Sequence, residues 1–385
     1  RIGEIAAHVY GEPSRALHMV GVTGTNGKTS VAHWVAQAFT QLGRKTAVIG
    51  TVGNGFPDAL TPALNTTPDA IDLQQRLAHY RQQGAAACAM EVSSHGLAQG
   101  RLNGTTFNVA VLTNLSRDHL DYHGDMDSYA DAKARLFSWP GLEWVVVNVD
   151  DAFGQRLESE TRPARVAGYG FQRGAVVGEK LRLSQAGLHL AVRTDWGNAE
   201  IDAPLLGRFN ATNLLAVLAT LLVSGMKLDD ACRALAHIAP PPGRMQTLGG
   251  NAHPLVVVDY AHTPDALEKV LATLREIAGG GRLICVFGCG GNRDKGKRPL
   301  MGQAAAAGAD EVWITSDNPR NEDPRHIIDD ILAGAGSKPR VEPDRARAIF
   351  EAIGGAHHGD VVLIAGNGHE DYQEVAGARL PFSDV

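Results

Sequence analysis

The sequence predicts an α/β chain of two domains, each built on a mostly parallel sheet. Three observations carry this. Uninterrupted apolar runs such as Ala85-Ala86-Ala87-Cys88-Ala89-Met90 and Val109-Ala110-Val111-Leu112 alternate with helical patterns. Strands that are apolar on both faces belong to sheets covered by helices on each side. The texture changes between about 165 and 206, where Leu181-Arg182-Leu183-Ser184 and Leu188-His189-Leu190-Ala191-Val192-Arg193 alternate around Gln185-Ala186-Gly187. This reads as antiparallel hairpins appended to the first sheet. Pro240-Pro241-Pro242-Gly243 then interrupts the chain, and the parallel pattern restarts. The predicted division is a central domain over 21–243 and a smaller, Rossmann-like domain over 244–385. Residues 1–20, which begin with Arg and not Met, read as the remnant of a preceding domain or linker.

Bulk properties narrow the function classes. The 385 residues are enough for two or three domains with a sizeable core. A net charge of −6 argues against nucleic acid as the main partner. No stretch approaches the roughly 18 apolar residues of a membrane span. The four cysteines lack metal-type CxxC spacing. Cys88, Cys232 and Cys285 lie in apolar runs or helical patterns and read as buried thiols, while Cys289 sits in a glycine loop. Reduced cysteines and no signal peptide predict a cytoplasmic protein, expected to be a monomer.

In chain order, the apolar lead-in Met19-Val20-Gly21-Val22 runs into Thr23-Gly24-Thr25-Asn26-Gly27-Lys28-Thr29-Ser30. A helical pattern follows, with Val31, Trp34, Val35, Ala38 and Phe39 three and four apart. Strand, glycine loop, Lys-Thr and helix form the architecture of a phosphate-binding P-loop. Backbone N–H groups and a helix N-terminus face an anion, the lysine brings a charge, and the hydroxyl reaches Mg2+. The pattern is not strict, because Val22 stands where the first glycine is usual. Thr46–Thr51 reads as a strand, followed by a polar loop through Asn65-Thr66-Thr67-Pro68 and a helix over Asp69–Gln83. The buried strand through Met90 ends on Glu91. Val109–Asn114 ends in the polar loop Arg117-Asp118-His119-Leu120-Asp121. A helix over Met126–Phe137, a strand over Trp144–Asn148, and helices over Asn210–Val223 and Leu228–Ile238 complete the domain. The second domain carries strands Leu255–Asp259, Leu283–Phe287, Glu311–Thr315 and Val361–Ala365, with a helix over Pro264–Ala278.

Ligands in such folds gather beyond the C-terminal strand ends. In the first domain these ends offer Thr29 and Glu91 as ligands for a magnesium ion accompanying ATP, with His119 a weaker candidate. In the second, Arg320 of Asp317-Asn318-Pro319-Arg320 and Arg293 offer planar forks for a carboxylate. Glu370 offers a carboxylate for an ammonium. Together they suit a zwitterionic amino acid. The run Arg293-Asp294-Lys295-Gly296-Lys297-Arg298 reads blandly as a solvated basic face; beside these residues the favoured reading is that it helps to draw in an anionic substrate.

From Gly21 onward the motifs resemble those of the Mur ligases of peptidoglycan synthesis. They are Gly24-Thr25-Asn26-Gly27-Lys28-Thr29, Met90-Glu91-Val92-Ser93-Ser94-His95-Gly96-Leu97, and Thr113-Asn114-Leu115-Ser116-Arg117-Asp118-His119-Leu120-Asp121-Tyr122-His123-Gly124. Later come Phe209-Asn210-Ala211-Thr212-Asn213, Asp259-Tyr260-Ala261-His262-Thr263-Pro264, Gly288-Cys289-Gly290-Gly291 and Asp317-Asn318-Pro319-Arg320. The resemblance implies an ATP-dependent ligase that joins an amino acid to a UDP-linked muramyl peptide. It assigns the ATP phosphates to Gly24, Thr25, Asn26, Gly27, Lys28, Thr29 and Ser30, with Arg244 also reaching them. The adenine goes to Asn210 and Asn213, and the nucleoside to Asp259 and His262. It assigns metal ligation to Thr29, Glu91, His119 and Lys133. Lys133 matches the family's carbamylated lysine, although by sequence pattern it is a surface helix lysine. Lys28, Glu91, His119 and Lys133 form the implied catalytic set. Asn65, Thr66, Thr67, Ser93, Gln99 and Arg101 match positions that hold UDP-N-acetylmuramoyl-L-alanyl-D-glutamate.

The implied reaction makes an acyl phosphate on the D-glutamate carboxylate, which the incoming amine then attacks. Asp-Asn-Pro-Arg resembles the branch that adds meso-diaminopimelate, with Arg293, Asp317, Asn318, Arg320, Gly366 and Glu370 at that amino acid. Three departures stand out. The family's uridine-binding N-terminal domain is not matched, Asn367 stands where lysine is common, and Gln246 stands where glutamate is common. The competing readings are a lysine-adding ligase, a folylpolyglutamate synthase-like ligase on the same core, and an ATP-binding chain without catalysis.

Overall fold

Runs that are apolar at every position become strands buried on both faces. Ala87–Glu91, Thr46–Ile49 and Val109–Leu112 are buried throughout. The computed structural model describes residues 1–160, 164–250, 252–336 and 339–385, apart from the Asp121 side chain of the third motif. The chain divides into two units. One comprises Arg1–Arg182, His189–Pro204 and Phe209–Ile238; the other comprises Ala239–Val385 with the short segments Leu183–Leu188 and Leu205–Arg208.

Among the described residues, eleven strands form the first sheet: β1 (His18–Thr23), β2 (Thr46–Ile49), β3 (Asn54–Phe56), β4 (Ala59–Thr61), β5 (Ala87–Glu91), β6 (Val109–Leu112), β7 (Trp144–Asn148), β8 (Arg165–Gly170), β9 (Val176–Ser184), β10 (Gly187–Thr194) and β11 (Gly197–Ala203). Their order is β11-β10-β9-β8-β7-β6-β1-β5-β2-β3-β4. Strands β8, β7, β6, β1, β5 and β2 run parallel. The short strands β3 and β4 close one edge antiparallel. At the other end β9, β10 and β11 are sheet neighbours joined by two-residue turns, which only antiparallel strands permit. β1 lies between β5 and β6, where the strand order reverses, so the loop after β1 leaves the sheet at its switch point.

The helix Lys28–Gln41 covers this sheet and buries Val31, Trp34, Val35, Ala38 and Phe39, the periodic positions of the sequence. Trp34 is fully buried, which contributes about 3 kcal/mol. The helix expected over 126–137 runs only over Met126–Ala134 and tightens into a 3-10 turn at Arg135–Ser138. Lys133, expected on the surface, is 1% exposed.

The second unit's sheet holds β12 (Gln246–Gly249), β13 (Leu255–Asp259), β14 (Leu283–Phe287), β15 (Glu311–Ile314), β16 (Arg340–Val341) and β17 (Val361–Ala365). Its order is β12-β13-β17-β14-β15-β16, parallel except for β12. Alternate residues feed two cores: Val257, Cys285, Phe287 and Leu363 on one face, Val256, Val258, Val286 and Ile364 on the other. A separate hairpin, β18 (Tyr372–Val375) and β19 (Ala378–Pro381), follows. Among the described residues no helix is long and apolar enough to cross a membrane.

His18 supplies a test of this packing. Its ring lies edge-on to Phe39, with Nε2 3.0 Å from Ser224 Oγ. Burial, aided by Arg44 and opposed by Glu143, lowers its pKa to about 4. An unfolded histidine titrates near 6.5, so below that pH the unfolded chain binds the extra proton and stability falls. Between pH 7 and 5 the wild type should lose about 2 kcal/mol more than His18→Asn. Urea unfolding of both proteins at the two pH values measures this, and equal losses would refute the assignment.

Candidate active site

The loop after β1 is shaped by glycine. Gly27 sits at φ +82° as the N-cap of the helix Lys28–Gln41, and Gly24 at φ +146°. Only glycine adopts such angles without strain. Lys28 Nζ curls back to donate to Gly24 O and Thr25 O, each at 2.9 Å. The loop after β6 braces this turn. Thr25 N donates to Asn114 O (2.9 Å), Asn26 N to Asn114 Oδ1 (3.0 Å), and Thr113 Oγ1 to Asn26 O (2.6 Å). Ser116 N donates to Thr25 Oγ1 at 2.9 Å. Ser30 lies buried in the first helical turn.

The helix Arg208–Val223 brings Asn210 and Asn213 to the same loop. Their side chains are buried and lie 3.3 Å apart. A Cβ on Gly27 would stand 2.5 Å from Asn213 Oδ1. The turn therefore needs glycine twice over, for its φ and for the asparagine against it.

Lys133 reaches this loop from the helix Met126–Ala134. Its Nζ donates to Gly24 O at 2.9 Å and lies 4.5 Å from the Tyr129 ring centroid. Burial, reinforced by the neighbouring Lys28 ammonium and opposed by Asp118, holds its pKa well below the usual lysine value.

Glu91 ends β5 and is 1% exposed. It accepts from Thr29 Oγ1 (3.1 Å), Thr51 N (2.8 Å) and Thr51 Oγ1 (3.2 Å). Thr51 Oγ1 also meets Thr66 Oγ1 at 3.0 Å. Thr67 Oγ1 donates to Glu91 O (2.9 Å) and accepts from Ser93 N (3.0 Å). Arg101 donates to Thr67 O and to Gln99 Oε1, each at 2.8 Å. Thr66, Thr67, Ser93, Gln99 and Arg101 thus form one network anchored on Glu91, while Asn65 is exposed in the same loop. Thr51, which links the two halves, had no distinguishing sequence signal beyond ending the predicted strand Thr46–Thr51, which stops at Ile49 in the structure.

Thr29 and Glu91 together offer hard oxygens. The 3.1 Å between Thr29 Oγ1 and Glu91 Oε2 is close to the edge of an octahedral magnesium shell, about 2.9 Å. This donor pair fits the ion. No group of three His, Cys, Asp or Glu spaced to hold a metal occurs among the described residues. His119 stands apart from Glu91's hydrogen-bond network. It caps the short helix Leu120–His123 at φ +53°. Its ring centroid lies 5.0 Å from that of His95 and 6.0 Å from that of Tyr129, and its Nε2 lies 3.4 Å from Asp118 Oδ2. Burial lowers its pKa, with Asp118 opposing and His95, Lys28 and Lys133 reinforcing.

In the second unit, Asp259 is buried at the end of β13 and accepts from Met245 N at 2.9 Å. Burial raises its pKa, with Arg244 opposing. The Arg244 guanidinium lies 5.0 Å from the Tyr260 ring centroid. His262 Nδ1 is 2.8 Å from Tyr260 O, and Tyr260 Oη donates to Glu370 Oε1 at 3.4 Å. Tyr260 therefore joins the residues assigned to the nucleotide to one assigned to the amino acid.

Asn318 Nδ2 donates to Glu370 Oε2 at 2.7 Å, and its Oδ1 accepts from Glu374 N at 2.6 Å. Arg320 donates to Gly291 O at 2.9 Å, and its Nε lies 3.4 Å from Glu374 Oε2. Asp317 is buried with Oδ2 at 2.9 Å from where a Gly366 Cβ would stand. Asp317, Asn318, Arg320, Gly366 and Glu370 are thus brought together; Arg293, exposed on the loop after β14, comes near Arg320, since a Cβ on Gly290 would lie 2.8 Å from Arg320 Nη1 and 3.7 Å from Arg293 Cγ. Arg298, counted in the sequence as part of a solvated basic face, is fully buried and paired with Glu322 (2.9 Å) and Asp330 (2.8 Å). It is therefore no part of a solvated face.

The Lys28 loop on one unit and the Asp317–Glu370 cluster on the other are the features that the sequence motifs of an acid–amino-acid ligase predict. Residues 22–221 match the Mur ligase middle domain, and residues 243–368 the glutamate ligase domain of Mur ligases. The chain belongs to the Mur ligase family and is a ligase. It is 58% identical over 388 residues to the UDP-N-acetylmuramoyl-L-alanyl-D-glutamate–2,6-diaminopimelate ligase of Chromobacterium violaceum, covering 100% of this chain and 79% of that protein. Against the ligase of the same name from Pseudomonas aeruginosa it is 52% identical over 389 residues, covering 100% and 80%. A solved structure of a ligase of that name superposes with a TM-score of 0.76 at 42% identity, covering 100% and 80%. Folylpolyglutamate synthase from Mycobacterium tuberculosis, complexed with ADP and AMPPCP, shares the fold, with a TM-score of 0.74 at 20% identity over 94% of this chain and 91% of that one.

The Gly27–Asn213 contact is testable. Gly27→Ala should destabilise the protein by about 2 kcal/mol, combining left-handed strain with the clash. Asn213→Ala should remove the clash and leave the strain, so the double variant should lose less than the sum of the two single changes. A double-mutant cycle by chemical denaturation reads this, and strict additivity would rule out the contact.

Proposed function

We propose that the chain adds meso-diaminopimelate to UDP-N-acetylmuramoyl-L-alanyl-D-glutamate, at the expense of ATP, in the cytoplasmic stage of peptidoglycan synthesis. The observation that carries the phosphoryl-transfer half is the convergence of Lys28 and Lys133 on Gly24 O beside the Thr29–Glu91 oxygen pair. The names of relatives at 58% and 52% identity support the substrates.

In this reading the loop 24–30 holds the ATP phosphates, with Lys28 on the outer ones. Asn210 and Asn213 take the adenine, Asp259 and His262 the nucleoside, and Arg244 a phosphate. Thr29 and Glu91 would hold a magnesium ion. His119 and a carbamylated Lys133 would support a second. The ions would neutralise phosphate charge during transfer. The depressed pKa of Lys133 favours its neutral amine, the form that adds carbon dioxide to give a carbamate and a proton.

The network of Thr66, Thr67, Ser93, Gln99 and Arg101, with Asn65 beside it, orients the muramyl dipeptide. Its D-glutamate carboxylate attacks the γ-phosphorus, and ADP leaves. The amine of diaminopimelate attacks the resulting acyl phosphate, and inorganic phosphate leaves as the amide forms. Catalysis rests on positioning and charge neutralisation. Arg320 and Arg293 take the distal carboxylate of diaminopimelate, beside Asp317 and Asn318. Gly366 and Glu370 meet its distal ammonium. The protein acts as a monomer, through a central domain over 21–243 and a C-terminal domain over 244–385.

Incubation with ATP, Mg2+, the UDP-muramyl dipeptide and diaminopimelate should release phosphate and yield the tripeptide. Lysine should give less than about 1% of that rate, because it leaves the arginines without a carboxylate. Arg320→Met should raise the KM for diaminopimelate about 10- to 100-fold while the KM for ATP moves less than twofold. Turnover with lysine alone would overturn the specificity. ATP binding without any phosphate release would overturn the reaction.

A further inference from the structure

Beneath the strand ends of the second unit lies an ion pair with no exposed surface. Arg345 and Asp384 are each 0% exposed in their side chains. Arg345 Nε and Nη2 donate to the two oxygens of Asp384, each at 2.7 Å. We propose that Arg345, locked by Asp384, is a positioning residue for the amino-acid site, one guanidinium fixing the spacing between Asp317 and Gly366. The inference rests on the reading of that site given above.

Topology makes such a brace necessary. Asp317 follows β15 and Gly366 follows β17, but these strands are not neighbours. β14 lies between them. No direct ladder of hydrogen bonds sets the distance between their ends. Arg345 bridges them instead. Its Nη2 donates to Ala365 O at 3.1 Å, and its Nη1 makes a longer bond to Ser316 O at 3.5 Å. Each carbonyl belongs to the residue immediately before a site residue.

The two site residues are in turn pressed together. A Cβ on Gly366 would lie 2.9 Å from Asp317 Oδ2, and Gly366 has φ +111°. This close approach leaves no room for a side chain at 366, so the two loops must keep their spacing. A slip would also shift Asn318, which bonds Glu370 at 2.7 Å.

The chemistry of the pair fits a positioning role. A buried guanidinium has five donors in a fixed plane, and a single carboxylate satisfies only part of them. The spare donors reach the two carbonyls. Buried ion pairs are seldom needed for stability alone, since well-packed apolar side chains often serve as well or better. Here the fork supplies what apolar packing lacks, a directional tie between two non-adjacent strand ends. Asp384 is the one carboxylate that the guanidinium grips with two hydrogen bonds; without it the buried charge would face only Asp317, at longer range.

Two variants test this. Asp384→Asn keeps the shape and removes the charge. Arg345→Lys keeps a charge and loses the fork. The first readout is hydrogen exchange at the Thr315 and Gly366 amides, which donate to Phe287 O (2.9 Å) and Asp259 O (3.1 Å). Both variants should speed exchange there at least about tenfold, with the amides of the phosphate loop unchanged. The second readout is kinetic. The KM for diaminopimelate should rise about tenfold, with kcat and the KM for ATP within twofold.

A uniform rise in exchange across the second unit would show a merely structural pair and overturn the inference. So would an unchanged KM for diaminopimelate, or an Arg345→Lys variant that behaves as wild type. If the wild-type chain fails to ligate diaminopimelate, the proposed reaction falls. The exchange data, which need no substrate, then decide the brace by themselves.

Discussion

Two lysine side chains share one carbonyl oxygen. Lys28 and Lys133 both donate to Gly24 O at 2.9 Å, so their nitrogens cannot be far apart. Two ammoniums about 5 Å apart repel by about 3 kcal/mol at an effective dielectric constant near 20. Most features around the loop answer this constraint. Lys133 is held toward its neutral form by burial and by Lys28. Tyr129 lays its ring against the Lys133 head and meets Thr25 Oγ1 with its hydroxyl at 3.2 Å. Glu91 brings a carboxylate to the first turn of the helix that carries Lys28. A site that concentrates cations in this way, at a helix N-terminus, is organised for a highly charged anion.

What the sequence revealed of this arrangement followed from local pattern. The parallel strands were legible because burial on both faces leaves no alternation, and the phosphate loop because glycine and Lys-Thr stand at a strand-to-helix turn. Glu91 was legible because a carboxylate that ends a buried strand is unusual. Lys133 was not. Its helical position looks like surface, and its burial depends on a hydrogen bond to a residue 109 positions away. Arg298 was misread for the same reason, since its partners Glu322 and Asp330 come from later segments. Local pattern predicts which face of a helix is apolar, and it says little about which charged side chain finds a buried partner.

The second unit shows the same limit at its backbone. Arg320 sits at φ +52°, a left-handed angle that costs a non-glycine residue about 1 kcal/mol. The strain is held by hydrogen bonds on both sides. Arg320 N donates to Glu374 O at 2.8 Å, and Ala376 N to Arg320 O at 2.6 Å. Both partners lie in the hairpin of β18 and β19, which sequence pattern did not reveal because its strands are short and barely buried. The Asp-Asn-Pro-Arg motif was recognisable as chemistry, but the element that gives it geometry was not.

The two halves of the reaction call for different kinds of rigidity. The loop proposed for phosphoryl transfer is closed on itself: Lys28 returns to its own turn, and Asn114 stitches that turn to the next strand end. Such contacts are short in space and rely on glycine for access. Choosing one diamino acid over another requires several loops to hold charges at fixed separations, because a fork such as Arg320 rewards a carboxylate only at the right distance and angle. Strand ends alone do not supply that precision when the strands are not adjacent. The second unit places buried arginines, Arg298 and Arg345, against the backbone at the ends of β14, β15 and β17. Arg298 Nη2 lies 3.4 Å from Gly290 O, on the loop that leads to Arg293. Arg345 holds the carbonyls that precede Asp317 and Gly366. In the proposed reaction, selectivity in this unit rests on these buried arginines as well as on Arg320 and Arg293.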